Sequence, residues 1–304
     1  MNNSIKILLG EIWYEAVFRW CHNYHKSDLP NINDLIHDLI LFKSIFHGQN
    51  IIYQSSIPLK LAKISQQPPM VIAKEIMAKI NFDHNNFLQI WQGEILPTGL
   101  INWRLTDYGI NLCLQEIISI NWHDLTNSLL PSKLLIEQDY FAIQYPFMRC
   151  NSILKLAEYD HLIKLECKPV NDLQLEKQQI LRMIQPPIIQ WLNQADQLLL
   201  QQPAEQELIV YQNYIFDLIF YHQASYYLSF FPAYQPDHSN INWLKIVEQF
   251  TEKFDQFDRH CRIWGEIKDD YRPLAEARLG LIFITHHLFA YVLTQLNIPL
   301  IREI

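Results

Sequence analysis

From Leu279 to Ile301 the chain carries no Lys, Arg, Asp or Glu, and no other stretch constrains the fold as much. Ala275, Leu279, Ile282, His286, Ala290 and Leu293 recur every three or four residues, so they share one face of a helix, with Arg278 near its start. The helix is expected to end at Leu296-Asn297-Ile298-Pro299. A charge-free run of this length approaches a membrane span on paper, as does a second run from Leu218 to Pro236. Polar residues interrupt both: His222, Gln223, Ser225, Ser229 and Pro232 in one, and Thr285, His286, His287, Thr294, Gln295, Asn297 and Pro299 in the other. The pattern predicts buried helices and no membrane partner.

Composition supports this. Among 304 residues 49% are hydrophobic and only 7 are glycine, so the chain can bury a sizeable core in mostly helical form. The length suggests two domains, with one large domain as the alternative. Cys21, Cys113, Cys150, Cys167 and Cys261 are scattered without metal-ligand or redox spacing, which predicts reduced thiols and a cytoplasmic location. The first twenty residues mix charges into their apolar part and do not read as a secretory signal.

The net charge of −8 is unevenly placed. Residues 1–136 hold 10 basic and 11 acidic side chains, whereas 137–304 hold 14 and 21. No Lys or Arg occurs from Met183 to Leu244. Nucleic-acid affinity draws on neutralised phosphates, so this balance excludes tight non-specific RNA binding by the second part but leaves room for a small basic patch.

Taken in order, residues 1–50 read as two helices, Ile5 to about Tyr24 and Leu35 to His47. Pro68-Pro69 starts another, because proline in a first turn removes no needed N–H. Phe87–Ile95 and Leu100–Leu105 read as strands around the turn Pro97-Thr98-Gly99, and Thr106 or Asp107 caps a helix to about Ile120. A linker is expected over 123–136. Further helices are expected at about 174–200, 204–230 and 241–264, the first of them broken or kinked at Pro186-Pro187. The fold class is therefore mostly α: an all-α helical bundle over 137–304, preceded by a small α+β domain over 1–122.

Three runs carry a family resemblance. Phe254-x-x-Phe257-x-x-x-Cys261-Arg262-Ile263-x-Gly265-Glu266, followed by Ala275-Glu276-Ala277-Arg278-Leu279-Gly280, resembles the C-terminal anticodon-binding (DALR) domain of arginyl-tRNA synthetases. Gln144-Tyr145-Pro146-Phe147-Met148-Arg149-Cys150-Asn151-Ser152-Ile153-Leu154 is similar to the helix that opens that domain, with Phe147 where the family has histidine and Pro146 where it has alanine. The proline places the start of the helix at Pro146. Leu61-Ala62-Lys63, Pro68-Pro69 and Gly99-Leu100-Ile101-Asn102-Trp103-Arg104-Leu105 resemble the family's small N-terminal domain, which packs on the tRNA elbow. Ser55-Ser56 replaces the family's Gly-Asp, and this match covers about 51–120.

What such an enzyme needs between these parts is missing. About twenty residues separate the two resemblances, and neither Phe46-His47-Gly48-Gln49 nor Thr285-His286-His287 fits an adenylate-forming signature. No glycine-rich phosphate loop is present. The resemblance implies a non-catalytic chain with no aminoacylation activity and no cofactor. Cys21-His22-x-x-His25 has the spacing for two metal ligands on one face, but no fourth ligand is evident, and histidines beside a buried thiol explain it as well. The carboxylate pairs Asp269/Asp270 and Asp255/Asp258 read as a solvated loop and a solvated helix face.

The resemblance implies tRNA as partner, arginine-type by analogy, with Asn102, Arg104, Gln144, Tyr145, Arg149, Arg262 and Arg278 as RNA-binding residues. Tyrosine stacks on splayed bases and arginine pairs with phosphate or base edges. Each has a structural alternative, Tyr145 as a core residue and Arg278 as one end of an interhelical salt bridge. The competing function is a protein-interaction module that keeps the fold without RNA, using the aromatic, lysine-free run of 211–234.

Overall fold

The computed structural model describes residues 5–23, 42–47, 50–80, 87–120, 122, 140–163, 165–166, 182–183, 189–227 and 241–301. The chain is mostly α, with a small sheet in its first half. It forms two compact units, Met1–Cys113 with Asp217–His238, and Leu114–Phe216 with Ser239–Ile304. The expected linker at 123–136 lies outside the described residues.

The first unit is built on a four-stranded antiparallel sheet in the order β1-β2-β4-β3, where β1 is Lys43–His47, β2 Asn50–Ser55, β3 Trp91–Ile95 and β4 Ile101–Leu105. Residues two apart share a sheet face, so β4 buries Ile101, Trp103 and Leu105 and turns Asn102 and Arg104 the other way. Helix α1 (Ile5–Asn23) buries Leu9, Trp13, Ala16, Val17 and Trp20 at helical spacing. Trp13 meets Trp103 edge-on at 5.9 Å, and Phe87 meets the same ring at 5.3 Å. Gly93 sits opposite Trp103, where an added Cβ would lie 2.5 Å from the indole, so only glycine lets that ring cross the strand. Helices α2 (Ile57–Ser65) and α3 (Pro69–Met77) pack on one another. Trp20 Nε1 donates to Glu75 of α3 at 2.7 Å. Pro69 occupies the first turn of α3, as expected.

Two expectations fail here. Lys43–His47 is not the end of a second helix but strand β1, paired residue for residue with β2. The apolar run at Ile45 and Phe46 suits either period, and a neighbouring strand decides it. Phe87–Ile90 is not strand but one helical turn, α4, and the strand begins at Trp91. The turn brings the Ile90 carbonyl to accept from the Thr106 amide at 3.0 Å. Thr106 in turn caps α5 (Asp107–Ser119), its hydroxyl accepting from the Gly109 amide at 3.1 Å.

The second unit is helical around α10 (Arg272–Gln295). Its other helices are α6 (Phe141–Tyr159), α7 (Pro203–Tyr227, as far as Phe216), α8 (Trp243–His260) and the short α9 (Glu266–Asp270). Every residue of α10 from Ala277 to Thr294 is buried. By length and composition alone this helix could cross a membrane, yet its apolar window is wholly buried inside the protein. Phe289 stacks on Phe250 of α8 at 4.3 Å, and His286 on Phe147 of α6 at 4.6 Å. Gln212 of α7 donates to the Leu281 carbonyl at 2.9 Å and to Thr285 Oγ1 at 2.7 Å. At Gly280 an added Cβ would come within 2.5 Å of the Trp191 ring and 2.6 Å of Ile189, so the missing side chain is the space Trp191 occupies.

Three further readings are corrected. The helix expected at 174–200 is absent where the chain is described: Arg182–Met183 pairs with Leu165–Glu166 in a two-residue ladder, and 189–200 is irregular. Asn193 Oδ1 accepts the amides of Ala195 and Gln197, and Asp196 has φ 56°, a local turn that competes with helix. That ladder is also the exception to an all-helical second half. Finally, α6 begins at Phe141 and contains Pro146 rather than starting there. The Ile143 and Gln144 amides already close the first turn on the Tyr140 carbonyl, at 3.1 and 3.0 Å, before the proline removes a donor.

Candidate functional site

Helix α6 has two unlike faces. Ile143, Pro146, Phe147, Cys150, Ile153, Leu154 and Ala157 are buried. Phe141, Tyr145, Arg149, Ser152, Leu156 and Tyr159 follow one another at spacings of four or three, which lines them along one outward stripe roughly 27 Å long at the helical rise. Tyr145 is 42% exposed and Tyr159 81%. Phe141 and Leu156 are also exposed, and the Phe141 and Tyr145 rings lie 6.0 Å apart.

Arg149 sits mid-stripe and is held by α8. Its Nε and Nη2 donate to the two Asp258 oxygens at 2.9 and 3.2 Å, a two-pronged pair with 42% of the arginine side chain and 26% of the aspartate still exposed. The hydrogen-bonded Asp258 carboxylate pushes the guanidinium pKa still higher. One turn earlier on α8, burial pushes the Asp255 carboxyl up, against the pull of Arg259. Beyond the end of α6, Asp160 accepts from Lys268 Nζ at 3.0 Å and from the Trp264 indole at 2.8 Å, and these partners hold its carboxyl below the ordinary range. Gly265, with φ 73°, turns the chain between those two donors.

The other expected RNA contacts separate into exposed and internal groups. Arg278 is 4% exposed; its Nε donates to Glu205 at 2.6 Å, and its Nη1 donates to the Arg262 carbonyl. Glu205 is itself 0% exposed and also accepts the Gln202 amide at 2.8 Å. Arg278 thus ties the first turn of α7 to the connection after α8, and we remove it from the RNA-facing set. Gln144 is buried and donates to the Pro299 carbonyl at 2.8 Å, so it leaves the set too. The side chain of Arg262 is exposed. In the first unit, Arg104 is exposed and donates to Gln92, while Asn102 is half-buried and accepts from Gln54 at 2.9 Å.

The remaining chemical candidates stay structural. His286 and His287 are buried; His287 stacks on Trp122 at 5.8 Å and meets Phe283 edge-on at 4.4 Å. His22 is exposed against Phe18, Cys21 is buried, and His25 lies outside the described residues. Among the described residues no group of three or more His, Cys, Asp or Glu is placed to hold a metal. Asp269 and Asp270 are exposed. Of the aromatic run at 211–234, Ile215 and Phe216 are buried, and Tyr211 donates to the Ile246 carbonyl at 3.2 Å and to Gln249 at 2.9 Å; residues 228–234 lie outside the described residues. Sequence reasoning did not single out Phe141, Leu156, Tyr159 or the role of Asp258. The first three were readable by extending the period of Tyr145 and Arg149 in both directions.

Compared with protein-family models, curated proteins and solved structures, the chain matches none.

Proposed function

We propose that this chain is a non-catalytic tRNA-binding protein, laid out like the two flanking domains of an arginyl-tRNA synthetase joined without the catalytic domain, and acting in the cytoplasm. One observation carries the reading: the outward stripe of α6 sets the exposed Tyr145 and Tyr159 rings on one face with Arg149. Ring faces stack on unpaired bases, worth about 1–3 kcal/mol per base, and a guanidinium reaches phosphate. Arg262 in the same unit, and Arg104 and Asn102 in the first, are the further candidate contacts. The 21 acidic against 14 basic residues of 137–304 keep the affinity modest and salt-sensitive.

The test is a gel shift with total and arginine-type tRNA at two salt concentrations. Replacing Tyr145 and Arg149 together by alanine is expected to weaken binding by about tenfold or more. No shift by the wild-type protein at low salt, where attraction is least screened, refutes the reading. Arginine-dependent ATP–pyrophosphate exchange by the pure protein would refute its non-catalytic part.

The second reading is a protein-interaction module. It is favoured by the pairing of Arg149, Lys253, Lys268 and Arg278 with carboxylates, which leaves a stripe of mostly apolar side chains. Charge-poor aromatic surface suits a protein partner. A Tyr145 and Tyr159 double replacement that leaves tRNA affinity unchanged moves the weight to this reading.

A further inference from the structure

We infer that Asp258 is a built-in competitor for phosphate at Arg149, an intramolecular contact that holds RNA affinity down. The inference rests on the RNA-binding reading of α6. Arginine recognises phosphate through a pair of N–H groups directed at two oxygens. Asp258 already occupies such a pair, Nε and Nη2, at 2.9 and 3.2 Å. The competitor comes from α8 and the arginine from α6, so neither residue depends on the other for its place in the backbone.

The pair is built to exchange rather than to lock. It is open to solvent, with 42% of the arginine side chain and 26% of the aspartate exposed, so water and salt compete for it. The buried pair of the same unit shows the contrast: Arg278 and Glu205 are 5% and 0% exposed, closed to any ligand. A phosphate reaching the stripe between Tyr145 and Ser152 meets a guanidinium whose charge is already balanced. To take the Nε–Nη2 edge it must displace the carboxylate, and at the remaining Nη hydrogens the carboxylate stays beside it, with Asp255 one turn away on the same helix. Because the displaced carboxylate stays beside the phosphate, the exchange brings no net positive charge to the contact, and the counterion that the phosphate releases is offset by the one that the carboxylate takes up. Affinity and salt dependence are both lower than the arginine alone would give.

The experiment compares wild-type protein, Asp258→Asn and Asp255→Asn for binding to arginine-type tRNA across a salt series, with thermal melts confirming folding. Asp258→Ser stands in if the amide variant fails to fold. Asp258→Asn is expected to bind about two- to fivefold more tightly, the range an exposed pair is worth. Its plot of log affinity against log salt is expected to steepen by about 0.7–0.9, one further phosphate neutralised. Asp255→Asn removes the same charge without freeing Arg149 and is expected to leave the slope unchanged. Equal or weaker binding by Asp258→Asn, or the same gain from both variants with no change of slope, overturns the inference while the RNA reading stands. If none of the three binds tRNA at low salt, the RNA reading itself falls and takes this inference with it.

Discussion

Two helices of the second unit each carry an arginine that the sequence nominates for RNA, and the structure uses them in opposite ways. On α10 the surroundings are buried on every side, so Arg278 is retained only because Glu205 and the Arg262 carbonyl satisfy it. On α6 only one face is buried, and Arg149 lies on the margin of the other, where Asp258 and water share it. The residue type is the same; what differs is whether the helix around it is apolar all round or on one side. A buried charge is bound to its partner by the cost of leaving that partner alone, whereas a marginal one is available for exchange.

This contrast can be broken first by truncation. Arg278→Ala strands the buried Glu205 carboxylate and is expected to cost about 3–5 kcal/mol in denaturant unfolding, while Arg149→Ala costs about 0–1. Replacing Arg278 and Glu205 together by apolar residues of similar volume should recover most of the loss. Equal costs for the two single truncations would erase the distinction.

The packing around α10 supplies the next test. Gly280→Ala drives a methyl into Trp191 and Ile189 and is expected to destabilise by about 1–3 kcal/mol, although alanine is the better helix former. On the outward side of α6, Tyr159→Ala should stay within about 0.5 kcal/mol. A neutral or stabilising Gly280→Ala would mean that Trp191 has room to move.

The smallest effect concerns pH. Asp160 has its pKa lowered by Lys268 and Trp264, so it contributes stability above the ordinary aspartate range and loses it as pH falls through the depressed folded value. Asp160→Asn should therefore narrow the gap between the neutral and acidic melting temperatures. An unchanged pH profile in the variant would show that these contacts are not formed in solution.

The sequence made α10 legible because its apolar period runs unbroken from Ala275 to Leu293. It made α3 and α5 legible because Pro69 and Thr106 mark helix starts by local chemistry alone. Where something other than a segment's own apolar period decides its structure, reading failed. Lys43–His47 became a strand through pairing with Asn50–Ser55, and 189–200 left the helical state through Asn193 and the site Trp191 fills beside Gly280. Arg278 stayed open between an RNA contact and an interhelical salt bridge, and the structure forms the salt bridge; its partner lies 73 residues earlier, and nothing near Arg278 marks Glu205 out from the other acidic residues. At the candidate site, Tyr145 and Arg149 were legible, while Asp258 was taken for one of a solvated pair because spacing along α8 says nothing about what faces it.

The position of α10 in the chain has a consequence for synthesis. Translation delivers this helix after α6, α7 and α8, yet Phe147 of α6 and Phe250 of α8 both rest on it. Until it emerges, those rings lack the surface that α10 gives them, and the contacts that will supply it join residues up to about 140 positions apart, a separation that slows docking. The growing chain thus passes through an interval in which a sticky half-core waits for its centrepiece, the condition in which nascent proteins aggregate or recruit chaperones.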